Sequence, residues 1–272
     1  MASEADSAIG KADLDVRARH KKVEVRLAVA GDPATPPEIL EAMAADPSRT
    51  VRRALAARRD APDGLFGALA GDPDLKTRQI LVENPACPPV VLVALVEDPH
   101  GSVRWSLPDH PAADVEVHRA ICRSPDEDLR RLLAESRGLD EETNAALAGD
   151  RSPNVRAGLA AHTDDPAILA TLIADADPKV RAGATRNPLT TMDWHRLLVN
   201  DRSAAVRAAA VQSGKLPHGE LLRLTRDRSV NVRWWLAAWP TTPETVLQVL
   251  AEDPHPDVMT QARGRLGKNT KL

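Results

Sequence analysis

The sequence predicts an all-α protein of about nine two-helix repeats, each 26 residues long and laid end to end. Three observations predict it. An arginine recurs at Arg26, Arg52, Arg78, Arg104, Arg130, Arg156, Arg181, Arg207 and Arg233, spaced by 26 throughout except for one step of 25. An aspartate stands six residues before most of these, at Asp46, Asp72, Asp98, Asp150, Asp175, Asp201 and Asp227, and returns at Asp253; Ser124 fills the one gap. Aromatic residues are only 2% of the 272, with five Trp, one Phe and no Tyr. A thick single core leans on large rings, each burying on the order of 150–250 Å², whereas Ala, Val and Leu suit short helices stacked closely.

Within a unit the punctuation reads as two helices. Asp46-Pro47 and Asp72-Pro73 place an aspartate N-cap before a proline at the first helical position, where the missing N–H costs nothing. Val51 and Leu55 then lie four apart on one face. Asn84-Pro85 and Asn187-Pro188 stop that helix, because a proline ring disfavours the helical conformation in the residue before it. A second helix starts at Thr35-Pro36, with Glu38 completing a capping-box pattern, and Thr242-Pro243 is a similar start. It buries Ile39, Leu40 and Met43 in one unit and Leu65, Phe66 and Leu69 in the next. Helices of two or three turns are too short to stand alone, so stacking on neighbouring repeats has to stabilise them. The repeat domain is expected over residues 20–262, with a polar tail or cap at 1–19 and a tail at 263–272.

The unit from Asp72 to Val96 reads Asp-Pro, then Arg78, then Asn84-Pro85, then the apolar run through Leu92 and Leu95. It resembles the leucine-rich repeat variant family and is similar to the second helix of HEAT repeats. The resemblance implies a right-handed α-solenoid of alternating short helices, the second helix of each unit being α or 3₁₀. Two departures stand out. The period of 26 exceeds the usual 24 or so, which favours an α-α pair. No cysteine precedes Cys87, so the cysteine-rich iron–sulfur domain of the founding member is missing and no iron–sulfur role carries over.

The arginine ladder could grip phosphates, but with an aspartate partner present at a fixed offset the structural reading is stronger: charge-assisted pairs between neighbouring repeats. Positions that break the pattern are more informative. Fourteen residues after the ladder arginine most units carry Leu or Phe, yet two carry His118 and His195 and another carries Asn144. The two histidines lie three repeats apart and cannot share a metal; a partly exposed helix edge or a satisfied polar contact is expected there. Cys87 and Cys122 are read as inert packing. Trp105 and Trp234 directly follow a ladder arginine, a register that also takes Arg53, Gln79 and Arg131, and are therefore expected at the surface. Trp194 and Trp235 are read as core, and Trp239 takes the place of the turn Asn.

The net charge of −3 conceals a polarity. Between Val91 and Asp150 there are thirteen acids and six arginines; between Lys179 and Pro240 there are eleven basic residues and four acids. Part of the basic excess is systematic: Arg151, Arg202 and Arg228 follow the ladder aspartate where earlier units have Pro. No Gly-x-Ser-x-Gly elbow, His-Glu-x-x-His pair or dinucleotide loop occurs, and Gly264 to Lys268 has the wrong glycine spacing for a phosphate loop. No signal peptide or membrane span is apparent.

These features predict a noncatalytic, cytoplasmic, monomeric binding scaffold without a cofactor, recognising a protein or peptide. Trp105, Trp234, Trp239, Arg53, Arg131, Arg151, Arg202 and Arg228 are its candidate contacts. The alternative is a HEAT-like nucleic-acid-binding protein, glycosylase-like in its enzymatic variant, that uses the basic, tryptophan-containing C-terminal half. An accessory subunit that presents a substrate to an enzyme is a third reading.

Overall fold

A computed structural model describes residues 12–269. Among them every regular element is a helix, and none is long and apolar enough to cross a membrane. The chain divides into two compact units, Met1–Leu129 and Arg130–Leu272. In the first unit, helix α1 (12–18) precedes the repeats. The ladder arginines lie on a series of first helices, α2 (Val23–Gly31), α4 (Arg49–Ala56), α6 (Leu75–Glu83) and α8 (Gly101–Arg104). They alternate with second helices α3 (Pro37–Ala42), α5 (Asp63–Ala70), α7 (Pro89–Leu95) and α9 (Val115–Arg123). Helix α10 (Glu127–Glu135) leads into the second unit. There the first helices are α12 (Pro153–His162), α14 (Pro178–Ala184), α16 (Ala204–Gln212), α18 (Val230–Ala238) and α20 (Pro256–Asn269). The second helices of that unit are α11 (Glu141–Ala148), α13 (Pro166–Ile173), α15 (Met192–Leu198), α17 (His218–Leu224) and α19 (Glu244–Leu250). The fold is an α-solenoid of two-helix repeats.

The second helices are α-helical; among the described residues only Met43–Ala45, which continues α3, is a 3₁₀ turn. Their buried faces carry Ile39 and Leu40, Leu65, Phe66 and Leu69, and Val246, Leu247 and Leu250. First helices begin later than the Asp-Pro signals suggest. The N-cap of α4 is Ser48 and that of α6 is Asp74, because the carboxylate of the earlier aspartate is taken by an arginine instead. Helix α8 lasts four residues. Pro108 has no N–H to give the carbonyl of Arg104, and its ring would crowd that carbonyl, so the helix cannot continue past Trp105. At the other end, the boundary expected at residue 262 falls inside α20, which runs on to Asn269.

Helices α12 and α14 approach one another through small residues. A Cβ at Gly183 on α14 would lie 2.5 Å from the backbone oxygen of Ala157 on α12, so that contact tolerates no side chain at all. By contrast, Gly67 on α5 faces open space. Gly183→Ala is therefore expected to lower stability by about 1–3 kcal/mol, and Gly67→Ala to raise it by about 0.5–1 kcal/mol by removing helix-interior backbone entropy. Chemical denaturation of the two variants checks the contrast; equal effects would refute the close-approach argument.

Candidate functional site

Much of the polar chemistry of the chain is used internally. In each regular rung the ladder arginine forks the aspartate twenty residues on, one residue nearer at Asp175. Arg26 holds Asp46 in this way, and the same fork joins Arg52 to Asp72 and Arg78 to Asp98. In the second unit it joins Arg130 to Asp150, Arg156 to Asp175, Arg181 to Asp201, Arg207 to Asp227 and Arg233 to Asp253. Nε donates at 2.6–2.8 Å and Nη2 at 2.8–3.2 Å to the two carboxylate oxygens. Nη1 turns the other way and donates to the carbonyl of the aspartate six residues earlier, as Arg52 does to Asp46 at 2.7 Å and Arg207 to Asp201 at 2.8 Å. The carboxylate oxygen that takes Nη2 also accepts an N–H two residues on, from Ser48 at Asp46 and from Ser229 at Asp227.

Burial pushes the carboxyls of Asp46, Asp175, Asp201, Asp227 and Asp253 upward. The arginine and backbone hydrogen bonds outweigh it and hold all five below the ordinary range. The hydrogen bond to the aspartate in turn raises Arg52, Arg207 and Arg233, burial opposing it. One rung differs. With Ser124 in the aspartate register, Arg104 reaches Asp126 and places both Nε and Nη2 on a single oxygen, at 2.9 and 2.6 Å. The other oxygen of Asp126 caps α10 through the N–H groups of Asp128 and Leu129.

Two more ladders recur, one between repeats and one within them, and neither was anticipated from the sequence. At the end of several first helices a donor reaches back to carbonyls of the preceding repeat. Arg58 bonds Ala30 and Asp32; Asn84 bonds Ala56 and Arg58; Asn187 bonds Ala160 and Thr163. Arg265, inside α20, does the same for Ala237, Trp239 and Pro240. Three residues after this turn position, Thr35, Thr190 and Thr242 donate their hydroxyls to the carbonyls of Val29, Ala184 and Leu236. Thr35 therefore does not cap the second helix, whose N-cap is Pro36. Cys87 occupies this same register. It is buried, and burial pushes its thiol up to about 12, leaving it unreactive.

The candidate contacts separate into distinct environments. Arg53 forks Asp74 at 2.8 and 2.9 Å, and Arg131 bonds Glu135 at 2.7 Å; both guanidiniums meet acids of the chain itself. Arg151, Arg202 and Arg228 are exposed. Trp105 is 50% exposed on the truncated α8, its ring folded over Gly101, where a Cβ would sit 2.8 Å from the indole. Trp234 and Trp239 are half-buried. Trp194 and Trp235 were expected in the core but are half-buried too; Trp235 meets Trp234 edge to face at 5.1 Å between ring centres.

His118 and Asn144 sit at the second-helix register, where Asn144 is buried and donates to the carbonyl of Leu139. His195 is the larger departure. It is not at an exposed edge but fully buried on α15, and neither ring nitrogen has a hydrogen-bond partner. The period places it where other repeats put Leu, and the period prevails over its polarity. Burial, with Lys215 nearby, holds its imidazole below the usual range.

Shallow clefts lie along the first unit, including one of about 390 Å³ lined by Val93, Val96, Ala120 and Ser124 and one of about 340 Å³ lined by Asp72, Arg78, Leu95 and Asp98. Their charged lining residues include ladder members already engaged with one another. No group of three or more His, Cys, Asp or Glu among the described residues is placed to hold a metal ion.

Two predictions follow from this geometry. Arg207→Ala leaves Asp227 buried without its fork and is expected to cost about 3–5 kcal/mol, whereas Arg202→Ala, five residues away and exposed, should stay within about 0.5 kcal/mol. Urea titration of both variants measures the difference. His195→Leu restores the apolar register and removes two unsatisfied ring nitrogens, so it should stabilise by about 1–3 kcal/mol. In the parent the unfolded imidazole takes up a proton below about pH 6.5 that the folded one resists. Its contribution is therefore complete above that pH and is lost as pH falls; melting temperatures between pH 5 and 8 should fall less steeply toward acid in the leucine variant.

Comparison with known proteins agrees with the repeat geometry. A family model described as leucine rich repeat variant matches residues 23–48. Among solved structures, "a leucine-rich repeat variant with a novel repetitive protein structural motif" is similar at a TM-score of 0.53 and 24% identity, over 82% of this chain and 88% of that one. A designed armadillo repeat protein aligns over 93% of this chain and 97% of its own at a TM-score of 0.18 and 15% identity. Another, in complex with the peptide (KR)4, covers 94% and 98% at 0.17 and 12%. No curated protein matches the chain. The chain thus contains a leucine-rich repeat variant unit and has the helical repeat fold of that motif.

Proposed function

We propose that the chain is a noncatalytic binding scaffold that recognises a protein or peptide on the second helices of its second unit. One observation carries this reading. Leu197, Leu222 and Val249 stand 63%, 37% and 48% exposed on α15, α17 and α19. Sixteen residues after the ladder arginine, five earlier units carry Ala42, Ala68, Ala94, Ala120 and Ala146; at the same offset the last units carry Leu197, Arg223 and Val249. The alanines show that the frame requires no bulk there. Large apolar side chains in that place add nothing to the fold and keep contact with water, a pattern that marks recognition surfaces. Met192, at the start of α15, is also exposed.

The nucleic-acid alternative draws less support. Base stacking needs an open aromatic face beside the basic groups. In this unit the rings of Trp234 and Trp235 are half-buried and pack against each other.

Panning a random-peptide library on the whole chain tests the proposal. Enriched peptides are expected to carry apolar anchors and to bind the double variant Leu197→Glu/Val249→Glu at least about tenfold more weakly, the equivalent of about 1.4 kcal/mol, with an unchanged melting temperature. No enrichment over an unrelated repeat protein, or equal binding to the variant, would overturn it.

A further inference from the structure

The basic residues of the second unit fall into two groups with different chemistry. The ladder arginines are buried and matched. Arg151, Arg202 and Arg228 each follow a ladder aspartate directly, the position held by Pro47, Pro73 and Pro99 in the first unit. All three are exposed, and none pairs with a carboxylate among the described residues. They also share an edge. Nη2 of Arg228 donates to the carbonyl of Arg202 at 3.1 Å, and Nη2 of Arg202 reaches the carbonyl of Ala176 at 3.4 Å. The guanidiniums of Arg202 and Arg228 therefore lie along the line from one repeat to the next, and Arg151 stands at the same register two repeats before Arg202. The backbone beneath is held as well, since Arg207 bonds the carbonyls of Asp201 and Arg202, and Arg181 those of Asp175 and Ala176. An ordered arginine loses little freedom on meeting a carboxylate, and its remaining donors suit a two-pronged grip.

The geometry points to this edge as the binding site for an extended acidic segment of a partner polypeptide, an inference that rests on the reading of the chain as a peptide-binding scaffold and names the chemistry of the peptide. Neighbouring packed helices stand about 10 Å apart, and an extended chain advances about 3.3 Å per residue. A carboxylate facing Arg228 is thus followed by one about three residues away facing Arg202. The repeat with Ala176 is skipped, and a further acid about six residues on meets Arg151. The chain already contains this interaction in internal form, in the fork from Arg53 to Asp74 across one repeat boundary. No open aromatic ring accompanies the three arginines, which favours a peptide over single-stranded nucleic acid.

Fluorescence anisotropy with the whole chain tests the assignment, using a labelled peptide of about twelve residues with glutamates at these spacings. Its glutamine counterpart and an oligothymidylate of similar length serve as comparisons. The glutamate peptide is expected to bind at least tenfold more tightly than the glutamine peptide and to weaken as salt is raised. Arg202→Gln/Arg228→Gln should lose at least tenfold in affinity for it at an unchanged melting temperature. Equal binding of the two peptides, or unchanged affinity in the arginine variant, overturns the inference. Tighter binding of the oligothymidylate overturns it in favour of nucleic acid. If library peptides still bind through Leu197 and Val249 while the acidic peptide does not, only the arginine edge is refuted; if no peptide of either kind binds, the scaffold reading fails with it.

Discussion

The fork between an arginine and the aspartate of the next repeat is the constraint on which the rest of the structure depends. The described first helices range from four to fourteen residues, and most are below the length at which a helix stands alone in water. Each needs its neighbours at a set distance and rotation. The guanidinium supplies that setting because it binds in three directions at once: two donors clamp a carboxylate ahead and a third clamps a carbonyl behind. A lysine ammonium, a single point on a flexible stem, could not hold both ends in one plane. The net contribution of a buried pair to stability is small, since desolvation offsets much of the attraction, but losing one partner is costly. The ladder therefore acts more on register than on total stability, and the apolar faces of the helices supply the rest.

Where α12 and α14 meet, the approach is close. Gly183 against Ala157 leaves no room for a Cβ. Where the local rule fails, the departure is confined. Pro108 cuts α8 short, Trp105 is left half exposed beyond it, and the rung from Arg104 shifts to Asp126 and loses its two-oxygen geometry. The repeat survives because the turn ladder continues there: His110 still meets the carbonyl of Asn84 at 3.0 Å.

The fold was legible because the arginine ladder repeats one residue type at one interval. The turn ladder was not, because Arg58, Asn84, His110, Asn187 and Arg265 share a role, donating to a carbonyl one repeat back, without sharing an identity. Asn-Pro read as a helix stop was half the account; the amide also ties two repeats together. Local capping signals misled for a related reason. Asp46 before Pro47 and Thr35 before Pro36 look like N-caps in isolation, yet Asp46 is claimed by Arg26 and Thr35 by the carbonyl of Val29. His195 shows the converse error, in which polarity outweighed periodicity. The surface patches were only partly legible: Arg151, Arg202 and Arg228 stood out against proline, whereas Leu197 and Val249 resembled core residues until their exposure was known.

A frame that satisfies its polar groups internally separates two kinds of position. Residues such as Arg207 and Asp227 are tied to the fold, and any change there leaves a buried charge behind. Residues such as Arg202 and Val249 contact little of the frame, so a substitution there alters stability by only about 0.5 kcal/mol. Their identity is then open to be set by what they meet rather than by what they support. Arg202 and Arg207 make the point within five residues of one chain. The same guanidinium is a buried structural clamp at one position and an exposed, oriented donor at the other. The near-neutral net charge hides this division, because the ladder arginines cancel against their aspartates while the edge arginines do not. The charge that remains after that cancellation is the part of the electrostatics a partner can read.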